Sequence, residues 1–139
     1  MKNLHTFVIC AYKESAFLEE CVKSLVGQTV KTNIVIATST PNATIDAIAS
    51  KYGIDVCVNT GEAGITGDWN FGVSLAKTPY VTIAHQDDIY EPTYAESIIK
   101  KATKYKKPLI AFSDYYEIKN GERIDNSGVI KIKRLMNRE

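Results

Sequence analysis

Apolar positions along the chain switch between solid short runs and helical spacing. Residues 7–11 form an unbroken apolar run, which predicts a strand buried on both faces. Ser15 offers an N-cap, and Phe17, Leu18, Cys21, Val22, Leu25 and Val26 then recur at helical intervals until Gly27 stops them. Residues 34–37 predict a second strand, and residues 38–42 a polar turn containing Pro41. Ile45, Ile48, Ala49 and Tyr52 make the next helical face, closed by Gly53. Residues 55–58 read as a third, short strand, followed by a glycine-rich loop over 61–67 and a helix over 68–76. Residues 80–84 predict a fourth strand. Pro92 fits the first turn of a helix whose buried face is Tyr94, Ile98, Ile99, Ala102 and Tyr105. Residues 109–112 predict a fifth strand, and Asn120-Gly121 a hairpin between 115–118 and 123–124. From 125 to 139, ending Asn137-Arg138-Glu139, no core pattern is visible and a loose tail is expected.

Strands alternating with helices imply an α/β fold, a three-layer α/β/α sandwich on a mostly parallel sheet. Residues 1–124 would form the domain and the hairpin would add an antiparallel element. In such open sheets, ligands bind beyond the carboxyl ends of the strands. The strands end in Tyr12-Lys13-Glu14, Thr38-Ser39-Thr40, Asn59-Thr60-Gly61-Glu62 and His85-Gln86-Asp87-Asp88, so these polar groups should share one edge.

The adjacent carboxylates Asp87 and Asp88 are the sharpest local feature. Side by side they repel each other, unless a cation or a helix end offsets their charge. Hard oxygen ligands of this kind suit Mg²⁺ or Mn²⁺ bound together with substrate phosphates; a solvated turn capping the next helix is the plainer alternative. His85 could ligate a metal, touch a ribose or donate to a phosphate, and ranks behind the two aspartates as a ligand. The 61–67 loop leads to Asp68-Trp69-Asn70, where backbone N–H groups at a helix start could receive an anion, or where Asp68 is simply an N-cap. The glycine spacing is neither a Walker loop nor the dinucleotide fingerprint.

Composition narrows the classes. The chain has 139 residues, 45% hydrophobic and 24% charged, with a formal net charge of +1. That near-neutral balance speaks against a nucleic-acid binder, which is usually strongly basic. The apolar runs fall far short of the roughly 20 residues of a membrane-spanning helix, and the first residues lack a signal-peptide core. Cys10, Cys21 and Cys57 sit inside apolar patterns without metal-ligand spacing and read as reduced thiols of a cytoplasmic protein.

Three ordered segments resemble family 2 glycosyltransferases of the GT-A (nucleotide-diphospho-sugar transferase) fold. They are residues 7–14 with the helix through Ser24-Leu25 to Gln28-Thr29; Gly64-Ile65 through Asn70, Gly72 and Ala76 to Tyr80-Val81; and Ala84 through Asp88 to Glu91-Pro92. Residues 109–124 are similar to the strand and hairpin that follow in many members. The resemblance implies a nucleoside diphosphate sugar donor, a UDP-sugar foremost. Cys10, Tyr12 and Glu14 would border the base, Thr38 and Ser39 would meet the base or ribose, and Asp68, Trp69 and Asn70 would lie near base and diphosphate. Asp87 or Asp88, with His85 beside them, would hold Mg²⁺ or Mn²⁺ across the phosphates, and transfer to a glycan or lipid-linked acceptor would invert the anomeric centre. A role in cell-surface polysaccharide synthesis, in the cytoplasm or at the inner face of the membrane, follows from the same resemblance.

The chain departs from the family pattern where Cys10 replaces a proline, Lys13 an asparagine and His85 the first acid of the metal motif. Ala37-Thr38-Ser39 also stands where the second strand usually ends in acidic residues. Members usually continue past this length to supply the acceptor pocket and general base, so the chain is expected to be the donor half, truncated on its C-terminal side, with no catalytic base of its own. A nucleotidyltransferase, or a non-catalytic nucleotide-binding or receiver-like domain, is the alternative. The first would need a glycine-rich basic loop near the first strand, which Lys13-Glu14-Ser15 matches poorly. A receiver would need an acidic pair at the end of the first strand.

Overall fold

The computed structural model describes residues 2–106 and 108–136. They divide after residue 107 into two compact units.

The first unit is built on four strands: β1 (His5–Cys10), β2 (Asn33–Thr38), β3 (Asp55–Val58) and β4 (Tyr80–His85). They form one sheet in the order β3-β2-β1-β4, and every pairing is parallel. Alternate residues of β1 serve opposite faces. Phe7, Ile9 and Ala11 join Ile36 and Ala84 in a core shared with α1 (Leu18–Val26), α2 (Ala43–Tyr52) and α4 (Tyr94–Lys104), through Leu18, Cys21, Val22, Leu25, Ile45, Ala49 and Ala95. On the other face, α3 (Ile65–Leu75) lies close to β1 and β2. A Cβ on its Gly72 would come 2.8 Å from Val8 Cγ1 and 3.8 Å from Ala37 Cβ. The result is the expected three layers on a parallel sheet.

Three local expectations change. Helix α1 starts at Leu18 with Phe17 at the cap, and the Ser15 hydroxyl accepts the Phe17 N–H at 3.2 Å one turn early. Helix α3 begins at Ile65 rather than Asp68, because Gly64, at φ 101, lets the chain enter the helix sooner. Asp68 therefore sits inside the first turn, its N–H donating to Gly64 O at 2.8 Å, and is not an N-cap.

The second unit holds the hairpin of β5 (Glu117–Lys119) and β6 (Glu122–Ile124), a separate two-stranded antiparallel sheet. Asn120 at φ 52 and Gly121 at φ 79 supply the left-handed pair that a tight hairpin turn requires. The run 109–112 forms no strand; Leu109 is 97% and Ile110 83% exposed. An apolar run becomes a strand only where a neighbouring backbone completes its ladder, and none does so here. The expected loose tail is instead helical from Gly128 to Met136, as α5, with the Ser127 hydroxyl capping Ile130 N–H at 3.2 Å. The Arg134 guanidinium binds both oxygens of Asp114 (2.8 and 3.0 Å) and the Asp125 carbonyl (2.9 Å), holding the Asp114 carboxyl below the usual range. The final residues 137–139 of the expected tail lie outside the described residues.

His5 opens β1 as a buried imidazole, 1% exposed. Its Nε2 pairs with Thr82 Oγ1 at 2.8 Å, while Nδ1 meets no partner among the described residues. Burial pushes its pKa down to about 4, so the folded protein keeps the ring neutral. As pH falls below the ordinary histidine value, the unfolded chain takes up the proton first, and stability is lost until the folded pKa is reached. Chemical denaturation of wild type should lose about 2–3 kcal/mol more between pH 7 and pH 4 than His5→Gln does. Gly72→Ala should cost about 1–2 kcal/mol, the crowding against Val8 outweighing the gain in helix propensity; a thermal melt reads it directly.

Candidate functional site at the carboxyl edge of the sheet

The register brings the strand ends together. Cys57 pairs with Ala37, Ala37 with Cys10, and Cys10 with His85, one unbroken row across all four strands. Every segment singled out in the sequence leaves the sheet within two residues of that row, along a single edge.

The turn after β4 is fastened from beneath by α1. Cys21 Sγ donates to the His85 carbonyl at 3.3 Å, and Asp88 N–H closes the turn onto the same carbonyl at 3.1 Å. Ser24 Oγ accepts Tyr90 N–H at 3.1 Å. The buried Gln28 amide donates to Glu91 O at 2.9 Å and accepts Ala95 N–H at 2.8 Å. Cys21 and Ser24 on α1, with Gln28 just past its end, thus hold the backbone from residue 85 to residue 95. Burial pushes the Cys21 thiol up to about 12, with Asp88 and Asp87 adding to it, so Cys21 serves as a neutral donor.

Above this support Asp87 and Asp88 face solvent. No ion pair among the described residues uses either carboxylate. The pKa of Asp88 is raised, chiefly by loss of hydration; His85 pulls it down and the neighbouring Asp87 pushes it up. Two adjacent acids outside any ion pair suit a hard divalent ion. Among the described residues no group of three or more His, Cys, Asp or Glu could enclose one. Asp87 and Asp88 could supply only part of a divalent ion's oxygen ligands, the rest having to come from water or substrate.

At the opposite end of the edge, Asp68 reaches from α3 across two strand ends. Its Oδ2 accepts from Ser39 Oγ and its Oδ1 from Asn59 Nδ2, both at 2.9 Å. Asn59 also donates to the Glu62 carbonyl at 2.8 Å and accepts Gly61 N–H at 3.0 Å. Gly67 makes this folding possible, since a Cβ there would collide with the Glu62 backbone carbonyl. Thus a carboxylate stands beside the end of β2 after all, carried by α3 rather than by β2.

The other candidates separate. Tyr12 is 51% exposed, with Lys13 Nζ 5.2 Å from its ring centroid. Trp69, 41% exposed, lies with its ring 5.1 Å from that of His85, so these two form an aromatic pair beside the acids. Asn70 is exposed on α3. Thr38 is buried and its Oγ1 accepts Thr40 N–H at 3.0 Å, leaving Ser39 as the more accessible of the two. Glu14 accepts from Thr44 Oγ1 at 3.2 Å at the start of α2. Cys10 is half-buried and points toward Gly72, and burial plus the Asp68 charge push its thiol up to about 11. Asn59 and Gln86 were not singled out as site residues in the sequence. Asn59 was legible in principle, because asparagine two residues before a glycine favours the side-chain turn found here; Gln86 carried no such signal.

Comparison with known proteins agrees with this fold. The profile of glycosyl transferase family 2 matches residues 6–138. Glycosyltransferase GlyA of Streptococcus pneumoniae serotype 4 is 26% identical over 122 residues, covering 84% of this chain and 17% of that protein. Glycosyltransferase GlyG of the same organism is 25% identical over 122 residues, covering 84% and 40%. The chain therefore spans well under half the length of these curated relatives. Among solved structures, S. aureus TarS (residues 1–349) superposes with a TM-score of 0.59 at 16% identity, over 72% of this chain and 31% of that one. The mannosyltransferase PcManGT from Pyrobaculum calidifontis, solved in complex with GDP-Man and Mn²⁺, superposes with a TM-score of 0.57 at 16% identity, over the same shares. These likenesses establish the GT-A fold. No helix among the described residues is long and apolar enough to cross a membrane.

Removing the Asp68 carboxylate leaves the Ser39 hydroxyl and the Asn59 amide without their acceptor. Asp68→Ala should lower stability by about 1–3 kcal/mol, and urea denaturation followed by circular dichroism measures it. Asp68→Asn, which keeps one acceptor oxygen, should fall between.

Proposed function

The chain belongs to glycosyl transferase family 2, and from that footing we propose that it forms the donor-binding part of a metal-dependent, inverting glycosyltransferase. The donor is a nucleoside diphosphate sugar, a UDP-sugar foremost, and the acceptor a glycan or lipid-linked glycan of the cell surface. One observation carries the reading: an exposed aspartate pair, used by no ion pair among the described residues, follows β4 on the edge shared by all four strands. The Mn²⁺ and GDP-Man held by the mannosyltransferase of the same fold support it.

In this reading Tyr12, Ser39 and Asp68 border the nucleoside. Tyr12 offers an exposed ring, and Asp68 offers oxygen lone pairs left over after its bonds to Ser39 and Asn59. Asn70 and the Trp69–His85 pair flank the diphosphate and sugar. Asp87 and Asp88 would hold Mg²⁺ or Mn²⁺, which when bound supplies Lewis-acid stabilisation of the leaving diphosphate. Cys21, Ser24 and Gln28 keep the turn of the acids in place, so little reorganisation is needed when the charge on the phosphates develops. No described residue is assigned as the general base that activates the acceptor.

Calorimetry with UDP-, GDP- and dTDP-sugars tests the proposal. A UDP-sugar should bind at least about tenfold more tightly with Mn²⁺ or Mg²⁺, an effect of roughly 1.4 kcal/mol. Asp87→Ala or Asp88→Ala should abolish the metal dependence while the thermal melt stays close to wild type. Equal affinities with and without metal for all three donors would refute the reading.

A further inference from the structure

One residue in the turn after β4 reaches the chain just beyond β1. The side-chain amide of Gln86 meets the backbone of Tyr12 at two points. Tyr12 N–H donates to Gln86 Oε1 at 3.1 Å, and Gln86 Nε2 donates to the Tyr12 carbonyl at 3.1 Å. Only one orientation of the amide satisfies both groups. The β1–β4 ladder ends with Cys10 opposite His85, so this side chain adds one more rung where the backbones have parted. Immediately beyond, the chain turns through Lys13 at φ 54, a left-handed conformation uncommon for a side-chain-bearing residue, with Lys13 N–H donating to Thr40 Oγ1 at 2.6 Å. The Tyr12 segment is thus pinned by Gln86 on one side and by the end of β2 on the other.

We propose that Gln86 is a positioning residue that couples the nucleoside edge of the site to its diphosphate edge. The inference rests on the donor-site reading above. Gln86 directly precedes Asp87, inside the turn closed by Asp88 N–H on His85 O. Any adjustment of that turn around a cation and phosphates moves the amide that holds Tyr12. Placing a base against Tyr12 conversely fixes the turn. Coupling of this kind is reciprocal, so each half of the donor should raise the affinity for the other by the same factor.

Two half-ligands separate the ends of the site: uridine, which has no phosphate, and Mg²⁺ with inorganic pyrophosphate, which has no base. In wild type, Mg²⁺-pyrophosphate should tighten uridine binding about fivefold, and uridine should tighten pyrophosphate binding equally. In Gln86→Leu, similar in size but without the amide, the factor should fall to about one. Gln86→Glu should behave likewise, because its carboxylate sets an oxygen against the Tyr12 carbonyl. A folded Gln86→Leu that retains the fivefold factor overturns the proposal.

An NMR measurement on wild type alone guards against a variant that does not fold. Mg²⁺-pyrophosphate should shift the amide resonances of Asp87 and Asp88 and also that of Tyr12, and should slow exchange of the Tyr12 amide. Shifts at the aspartates with none at Tyr12 overturn the coupling but leave the donor-site reading standing. No shift at either aspartate overturns that reading, and the coupling with it.

Discussion

The site depends first on the parallel register. Because Cys57, Ala37, Cys10 and His85 stand in one row, four loops leave the sheet side by side. A slip of one residue in β4 would turn Ala84 out of the core, would bring His85 into it, and would carry the acids away from Tyr12. The register is held by burial on both faces. Phe7 and Ile9 are enclosed by the α1, α2 and α4 layer, while Val8 is held against Gly72 of α3. The same apolar contacts that stabilise the domain therefore set the positions of its polar edge.

Packing alone does not fix the turn that carries the acids. Apolar contacts position a strand well, but a turn facing water needs directional bonds. Helix α1 and the residues just past its end supply them: Cys21, Ser24 and Gln28 reach the backbone at His85, Tyr90, Glu91 and Ala95. The thiol is suited to its place. With its pKa raised by burial and by the nearby acids, Cys21 stays protonated and donates to a carbonyl without adding a third negative charge beneath Asp87 and Asp88.

What the sequence revealed follows from the same physics. Solid apolar runs and helical spacing express burial, and the four strands of the sheet and the four helices of the first unit were legible from them. So was the hairpin, because Asn120-Gly121 meets a conformational demand that few other pairs meet. The run at 109–112 was misread because hydrophobicity signals burial but not the ladder partner that makes a strand. The start of α3 was misplaced because Asp68 has the chemistry of an N-cap, yet its carboxylate is committed to Ser39 and Asn59, distant in sequence. The aspartate pair and its edge were legible from strand order alone; the bonds of Gln86 to Tyr12 and of Asn59 to Asp68 were not, since each depends on a neighbour that only the fold supplies.

The acid at the end of β2 shows why position in space matters more than position in a motif. Read along the chain, Ala37-Thr38-Ser39 brings no carboxylate of its own to the end of β2. In the folded chain Asp68 presents its carboxylate against Ser39, fixed further by Asn59. An acid borne by a strand end could swing on its own loop. This one is carried by a helix and is held by donors from two strands, so less conformational entropy remains to be lost when a ligand binds. The exchange has a structural cost, because α3 must start early and Gly67 must remain without a side chain for the loop from β3 to close over it. The glycines between β3 and α3 are on this account the means by which a carboxylate is brought to the end of β2.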